Sequence, residues 1–274
     1  MKIYAPSYYN AFKCTADKCQ HNCCIGWEID VDSKTLLKYS KYDEIMQFID
    51  RTDTPHFKLA KNDRCPFLNS DNLCELIIKY GDDFLCQICR DHPRFYNFFD
   101  ERTEIGLGLA CPAAAKLIID NKFSLCLYGE DDEEAYENPE EEAFLKLRDA
   151  YFNNDIEYLS KFLPDVSLSD LADFFLKLER LDNCWDNYLL PLKNNTTRLK
   201  DVKITDKSKA HNLFCYFVYR HLHNTSLAFC LLCTYFIIAL GGDIYDTARM
   251  FSSEIEYSDE NIEKILNEVL GARN

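Results

Sequence analysis

The chain has 274 residues, of which 47% are hydrophobic and 14% aromatic, which is enough apolar material for a buried core and excludes a disordered chain. Its formal net charge of -15 argues against nucleic acid as a partner, because carboxylates repel phosphates. Residues 130–274 hold 15 Lys+Arg and 28 Asp+Glu, an excess of 13 acids. This excess favours a basic partner such as a lysine-bearing protein, although solubility alone also explains an acidic surface.

The amino-terminal segment does not read as an export signal, because residues 1–12 lack an apolar core of the kind that signal peptides carry. The longest apolar stretch, residues 227–240, is too short to span a bilayer and predicts a buried helix. We therefore expect a cytoplasmic protein without a transmembrane segment.

The first half of the chain predicts short elements joined by loops. A strand is expected at residues 27–31, followed by a helix over residues 33–50 with its cap at Asp32 or Ser33. The sequence Asn-Ser-Asp-Asn at residues 69–72 predicts a hairpin or a tight turn that brings Cys65 and Cys74 together. A short element at residues 76–80 ends at Gly81, and residues 95–99 and 105–109 predict a hairpin.

The second half has the spacing of longer helices. Residues 130–142 contain nine acids and no base, which predicts an acidic linker. Helices are then expected at residues 141–153, 156–162, 168–181, 207–222, 226–240, 243–251 and 259–270. The predicted fold is α+β and predominantly α, with a small loop-rich cysteine-cluster metal domain with short hairpins at residues 1–129, the linker at 130–142 and a helical domain at 143–274.

The density of cysteines is the strongest chemical signal. Nine of the fourteen lie in the first 111 residues: Cys14, Cys19, Cys23, Cys24, Cys65, Cys74, Cys86, Cys89 and Cys111. A disulfide framework requires an oxidising compartment, so a metal centre is the simpler explanation. Tetrahedral zinc and a 4Fe-4S cluster each take four ligands, and the spacing does not separate them.

The five later cysteines, by contrast, lie among apolar residues and predict buried free thiols: Cys126, Cys184, Cys215, Cys230 and Cys233. Cys230 and Cys233 have a metal-like spacing but fit a helix interior. His21 and His92 are expected to be structural or surface residues.

Two ways of using S-adenosylmethionine are not indicated. Cys19-x3-Cys23 is followed at once by Cys24, whereas radical enzymes need two further residues before the third cysteine. Gly106-Leu-Gly108 lacks the third glycine of a Rossmann-type turn.

Several short motifs carry a resemblance to a known family. They are Tyr4-x-Pro6-x-Tyr8, Phe12-x-Cys14, Cys23-Cys24-x-Gly26-Trp27, Cys65-Pro66-Phe67-Leu68, Leu73-Cys74, Leu85-Cys86, Cys89, Pro93-Arg94 and Leu109-x-Cys111-Pro112. This order resembles the flagellin lysine N-methylase family and is similar to the broader group of zinc- or iron-chelating cysteine-cluster proteins. The resemblance is strongest over residues 1–120 and continues more weakly through residues 216–222 and the final helices.

The resemblance implies methyl transfer from S-adenosylmethionine to lysine side chains of flagellin, in the bacterial cytosol, with the cysteines holding a 4Fe-4S cluster. The chain is shorter than expected for such enzymes. Arg90 and Arg94 could hold the cofactor carboxylate by a forked contact, or could pair with a neighbour such as Asp91. Aromatic rings could stabilise the sulfonium and the methylated ammonium, or could simply cover a small core: Tyr4, Tyr8, Tyr9, Phe12 and Trp27.

Other classes of function stay open. The alternative is a non-enzymatic zinc- or iron-chelating protein with a helical partner-binding half, and a third possibility is a redox protein that uses its thiols. The sequence identifies neither the catalytic groups nor the oligomeric state.

Overall fold

The computed structural model describes residues 1–271, and their contacts divide into two compact units. The cysteine unit is Lys13–Pro93, and the helical unit combines Met1–Phe12 with the chain from Arg94 onward. The strands are β1 (Lys2–Pro6), β2 (Ile49–Asp50), β3 (His56–Phe57), β4 (Arg94–Phe98), β5 (Arg102–Leu107) and β6 (Leu125–Glu130). The helices are α1 (Ser33–Tyr39), α2 (Asp43–Met46), α3 (Glu75–Tyr80), α4 (Gln87–Asp91), α5 (Pro112–Asp120), α6 (Pro139–Tyr151), α7 (Ile156–Leu159), α8 (Leu168–Phe175), α9 (Asp186–Leu189), α10 (Lys207–His221), α11 (Leu227–Leu240), α12 (Ile244–Phe251) and α13 (Asp259–Lys264). The predicted α+β, predominantly α fold class is confirmed.

The predicted helix over residues 33–50 is wrong in extent, since it is divided into α1, α2 and strand β2. Tyr39 and Ile45 are both buried, at 0% and 1% exposure. Six residues turn a continuous helix by about 240°, so a single helix would not place both on one buried face. The predicted cap is confirmed, because Asp32 Oδ1 accepts a hydrogen bond from the backbone N–H of Thr35 at 2.9 Å.

The predicted strand at residues 27–31 is also wrong, although two of its side chains are buried. Ile29 and Val31 lie in the core of the cysteine unit. Their backbones form hydrogen bonds with the segment around β3. The Val31 N–H donates to the Pro55 carbonyl, and the Phe57 N–H donates to the Ile29 carbonyl. Asp30 forms an isolated β-bridge with His56, so the segment is extended but is not part of a continuous strand.

The turn at residues 69–72 is present as predicted. Asn69 Oδ1 accepts hydrogen bonds from the backbone N–H groups of Asp71 and Leu73, and Leu68 bridges Cys74 across the turn. Such an asparagine side chain replaces a backbone partner and fixes the turn. The following α3 ends at Gly81, whose φ of +83° suits glycine.

The sheet of the helical unit has the strand order β4-β5-β1-β6. β4 and β5 form the predicted antiparallel hairpin, whereas β1 runs parallel to β5 and antiparallel to β6. This pairing draws Met1–Phe12 and the chain after Arg94 into one unit. The two units therefore have other boundaries than the predicted domains at residues 1–129 and 143–274. Composition along the chain does not show which distant strands pair.

Helices α10 and α11 form the centre of the helical unit. Every residue from Phe229 to Ile237 in α11 is buried, which confirms the predicted buried helix. Ser226 caps its start by accepting from the Phe229 N–H, and Gly241 ends it with a φ of +72°. No helix within residues 1–271 combines the length and apolar character needed to cross a bilayer.

The predicted linker, residues 130–142, has regular structure at both ends. Glu130 closes β6 and Pro139 opens α6. Between them, Tyr136 N–H donates to the Asp100 carbonyl at 2.8 Å, and the amino terminus donates to the Asp131 carbonyl at 2.9 Å. The acidic segment is thus attached to the surface of the helical unit.

Candidate metal centre

Six of the predicted ligands come together in the cysteine unit: Cys23, Cys24, Cys65, Cys74, Cys86 and Cys89. We call this group the cysteine cluster. The Cys65 N–H donates to the Cys24 carbonyl at 2.8 Å, and the Sγ atoms of Cys86 and Cys89 lie 3.3 Å apart. Each of the six thiols changes the pKa of at least one other, so they share one electrostatic environment.

Helix starts position three of these thiols. Cys74 is the N-cap residue of α3 and Cys86 is that of α4, while Cys89 lies one turn into α4. Residues three apart lie on the same face of a helix, which explains why the Cys86 and Cys89 sulfurs are adjacent. Spacing alone could therefore predict this pair.

The thiols differ in their tendency to ionise. Hydrogen bonds from Cys24 and His92 lower the pKa of Cys23 to about 4, and the bond to Cys89 lowers the pKa of Cys86. The same bonds raise the pKa values of Cys24 and Cys89, since each must keep the shared proton. Burial raises the pKa of Cys65 to about 11 and also raises that of Cys74. Thiolate is the form that binds metals, and Cys23 and Cys86 are the first to reach it.

Asp32 and Tyr39 hold the elements that carry the cysteine cluster through contacts that the sequence did not predict. Asp32 caps α1 and also accepts from the Gln87 N–H at 2.9 Å, so one carboxylate fixes the start of two helices. The Tyr39 hydroxyl donates to the Phe84 carbonyl at 2.9 Å, two residues before Cys86. No pattern could reveal the second contact of Asp32, because its partner is 55 residues away.

The other three predicted ligands are placed differently. Cys14 and Cys19 flank the short 3-10 turn Ala16–Lys18, where Cys14 Sγ accepts from the Ala16 N–H and Cys19 Sγ donates to the His21 carbonyl. Cys111 belongs to the helical unit, where it is the N-cap residue of α5. Their role as ligands stays a prediction.

The donor set fits a thiolate-bound group in kind and number, because six sulfurs exceed the four that zinc or a 4Fe-4S cluster needs. Within residues 1–271, however, no group of three or more Cys, His, Asp or Glu side chains has the arrangement of a formed metal site. All fourteen cysteines are free of disulfides. Among the later ones, Cys215, Cys230 and Cys233 are buried as predicted. The prediction is wrong for Cys126 and Cys184, which are exposed on β6 and on the 3-10 turn Asn183–Trp185.

The predicted cofactor-binding residues have separate surroundings. The Trp27 indole donates to the Cys23 carbonyl at 2.7 Å, which places the ring beside the cysteine cluster. Arg90 is exposed, with Nε 3.9 Å from Asp91, as the ion-pair alternative predicts. Arg94 belongs to the helical unit, where its guanidinium lies 5.8 Å from the Tyr9 ring centre and 5.4 Å from that of Phe12.

The other predicted rings also lie in the helical unit, where Tyr8 is buried in the core and Tyr4 lies beneath Arg102. Binding of S-adenosylmethionine by any of these residues stays a prediction.

A second buried polar cluster lies in the helical unit. Glu256 accepts hydrogen bonds from Tyr216 at 2.9 Å and from His221 at 2.5 Å, and its carboxylate is 3.5 Å from Arg220. The π-helix Ser252–Glu256 brings this carboxylate inward. Burial opposes its ionisation, but Arg220 and His221 outweigh burial and lower the pKa of Glu256 to about 2. The acidic composition of the second half concealed this buried carboxylate and that of Glu254, which is 1% exposed.

Comparison with known proteins gives modest similarity over part of the chain. The lysine-N-methylase of Salmonella typhimurium is 26% identical over 140 residues, covering 46% of this chain and 34% of that protein. The flagellar biosynthetic protein FliU of Salmonella muenchen is 26% identical over 139 residues, covering 46% of this chain and 81% of that protein. The lysine-N-methylase of Salmonella choleraesuis matches in the same way, at 26% over 140 residues.

The matched region spans about a third of the length of the two lysine-N-methylases. No family model and no solved structure matches the chain. The resemblance that the cysteine and aromatic motifs indicated is nevertheless confirmed, because 46% of the chain is similar to two proteins named lysine-N-methylase and to a flagellar biosynthetic protein.

Proposed function

We propose that this protein is a protein-lysine N-methyltransferase that uses S-adenosylmethionine to methylate flagellin or a related protein. The similarity to two lysine-N-methylases and to a flagellar biosynthetic protein carries the proposal. The excess of acidic residues supports it, because a lysine-bearing substrate is cationic.

We further propose that the cysteine cluster holds a 4Fe-4S cluster, with zinc as the alternative. Cys23 and Cys86 would supply the first thiolates, while Cys24 and Cys89 would release their protons as the group binds. A bound cluster would supply structural cross-linking or electron transfer to the protein. Asp32 and Tyr39 hold the helix starts and the loop that present these sulfurs.

Methyl transfer requires a neutral lysine amine, whose ordinary pKa of about 10.4 keeps it protonated near neutral pH. Desolvation of the ammonium or a nearby proton acceptor must therefore assist the reaction. Trp27 is the aromatic candidate on the cysteine unit, and its ring is fixed by the bond to the Cys23 carbonyl. Cation-π contact with such a ring stabilises both a sulfonium and a methylated ammonium.

Anaerobic purification tests the proposal most directly. Iron and acid-labile sulfide near four each per chain, together with transfer of radiolabelled methyl groups to monomeric flagellin, are expected. A flagellin in which surface lysines are replaced by arginine should accept fewer methyl groups. The iron-loaded protein failing to label flagellin would contradict the enzyme proposal.

A specific observation favours the alternative, a non-enzymatic chelating protein. The cysteine cluster supplies more thiols than one tetrahedral zinc needs, so it accounts for chelation without any catalytic role. Stoichiometric zinc without sulfide, and no binding of S-adenosylmethionine by calorimetry, would support this alternative.

A further inference from the structure

An exposed aromatic pair lies on an edge strand of the helical unit. β4 pairs with β5, and within residues 1–271 no strand pairs with its other side. Phe98 is 75% exposed and stacks on Tyr96, which is 41% exposed, with ring centres 6.2 Å apart and planes 9° apart. Edge strands usually carry charged side chains that prevent pairing, so two large apolar rings indicate a surface that binds something.

The backbone of β4 is oriented for such binding. The Phe99 N–H donates to the Arg102 carbonyl at 3.0 Å and closes the β4–β5 hairpin. Bonded and non-bonded pairs alternate in an antiparallel ladder, so the pair Phe98–Thr103 is non-bonded. The N–H and C=O of Phe98 consequently point away from β5, towards the outer edge.

The side chains of β4 that face the core are fixed by contacts with α10 and β5. Asn97, only 6% exposed, donates from Nδ2 to the Tyr219 carbonyl of α10 at 2.9 Å. Phe95 covers Gly106 of β5 and contacts the rings of Tyr216 and Tyr219. The edge is therefore a rigid template, which lowers the cost of ordering a bound segment.

The acidic segment, residues 131–137, is attached beside this edge. Its anchor is Asp100, two residues after Phe98, which accepts from the Tyr136 N–H at 2.8 Å and from Asn138 Nδ2 at 2.7 Å. Every residue of the segment is exposed, and five are acids with no base among them: Asp131, Asp132, Glu133, Glu134 and Glu137. The segment runs from the amino terminus, where Asp131 pairs with the Met1 ammonium at 3.1 Å, to Asp100 beside the end of β4. We call the aromatic pair together with this segment the edge-strand surface: Tyr96, Phe98 and residues 131–137.

We propose that the edge-strand surface binds an extended, lysine-bearing segment of the protein substrate by adding it as a strand to β4. Tyr96 and Phe98 would contact apolar side chains and lysine methylenes, and the carboxylates would face the ammonium groups. The identity of the partner as a methylation substrate rests on the proposed function. A second copy of this chain is a poor occupant, because it would bring an equally acidic segment to the same place.

The test is direct binding of a labelled peptide, measured by fluorescence anisotropy. The probe is a peptide of about 14 residues that alternates Lys and Val, long enough to pair along the edge, and the matched probe has Glu in place of Lys. The wild type should bind the lysine peptide and not the glutamate peptide. The double substitution Tyr96→Thr with Phe98→Thr should weaken binding about tenfold, since it removes both rings and retains strand propensity.

Two further variants separate folding from binding. Leu127→Thr is the control, because Leu127 is an exposed apolar residue on β6, at the opposite edge. It should change affinity by less than about twofold. The charge variant Asp132→Asn with Glu137→Gln alters exposed side chains only, and should weaken binding about threefold with a smaller salt dependence.

Equal affinities of the aromatic double variant and Leu127→Thr would overturn the proposal. So would equal binding of the two peptides, no binding by the wild type, or a wild-type dimer that the aromatic substitutions dissociate. Binding needs neither S-adenosylmethionine nor metal. If the wild type binds the lysine peptide but does not methylate flagellin, only the proposed function is contradicted. If the wild type methylates flagellin and the aromatic double variant keeps the wild-type peptide affinity, only the docking surface is contradicted.

Discussion

Replacing Glu256 by Gln tests whether the buried polar cluster of the helical unit stabilises the fold through its charge. The Glu256 carboxylate is fully buried and bonds to Tyr216 and His221, with Arg220 at 3.5 Å. Gln keeps the shape and leaves the Arg220 charge without its counter-ion. Removing one partner of a buried ion pair costs about 3–5 kcal/mol, which is a large part of the stability of an ordinary domain.

The pKa of Glu256 gives a second measure of the same effect. It falls from 4.5 to about 2 on folding, which corresponds to about 3 kcal/mol. Because the folded pKa is the lower one, this stabilisation is complete above pH 4.5 and is lost as the pH falls towards 2. Burial also lowers the pKa of His221, which likewise weakens the fold on acidification.

Urea denaturation followed by circular dichroism measures both signatures. Near pH 7 the Glu256→Gln variant should lose about 3 kcal/mol of unfolding free energy, and the gap to the wild type should narrow below pH 4.5. The control is Glu157→Gln, which removes an exposed ion pair with Lys207 and should leave the free energy of unfolding nearly unchanged. A loss in Glu256→Gln no larger than in this control, or a gap that does not change with pH, would refute the reasoning.

Three further predictions concern the metal and the backbone. Cys86→Ser should lower the iron or zinc content after anaerobic reconstitution, because it removes one of the six clustered thiols, while Cys126→Ser, at an exposed position, should leave the metal content unchanged. Equal metal content in the two variants would remove Cys86 from the ligand set. Gly106→Ala should lower the free energy of unfolding by about 1–3 kcal/mol, because the added Cβ would lie 2.3 Å from the Phe95 ring. Thermal unfolding measures this loss, and an unchanged melting temperature would show that the Phe95 ring moves freely. Asp32→Ala should destabilise the cysteine unit by about 1–2 kcal/mol, because the backbone N–H groups of Thr35 and Gln87 lose their acceptor. Faster proteolysis within Lys13–Pro93 would detect this loss, and an unchanged rate of proteolysis would mean that water replaces the carboxylate.

Local patterns determined much of what the sequence predicted correctly. The cap at Asp32, the stop at Gly81 and the turn at residues 69–72 each depend on a few neighbouring residues, so they can be found in the sequence alone. The apolar run of α11 is likewise a local property, and burial followed from it. The Cys86–Cys89 pair was predictable because helical spacing alone brings its sulfurs together.

Only the tertiary structure decided which distant segments meet. Strand β1 joins β5 and β6 across about a hundred residues, and this pairing places Cys111 in a different unit from the cysteine cluster. The second contact of Asp32 and the inward carboxylate of Glu256 likewise depend on partners far along the chain. Composition and periodicity report which face of an element is apolar, but they do not specify which surface covers it, since that choice depends on the packing of the whole unit.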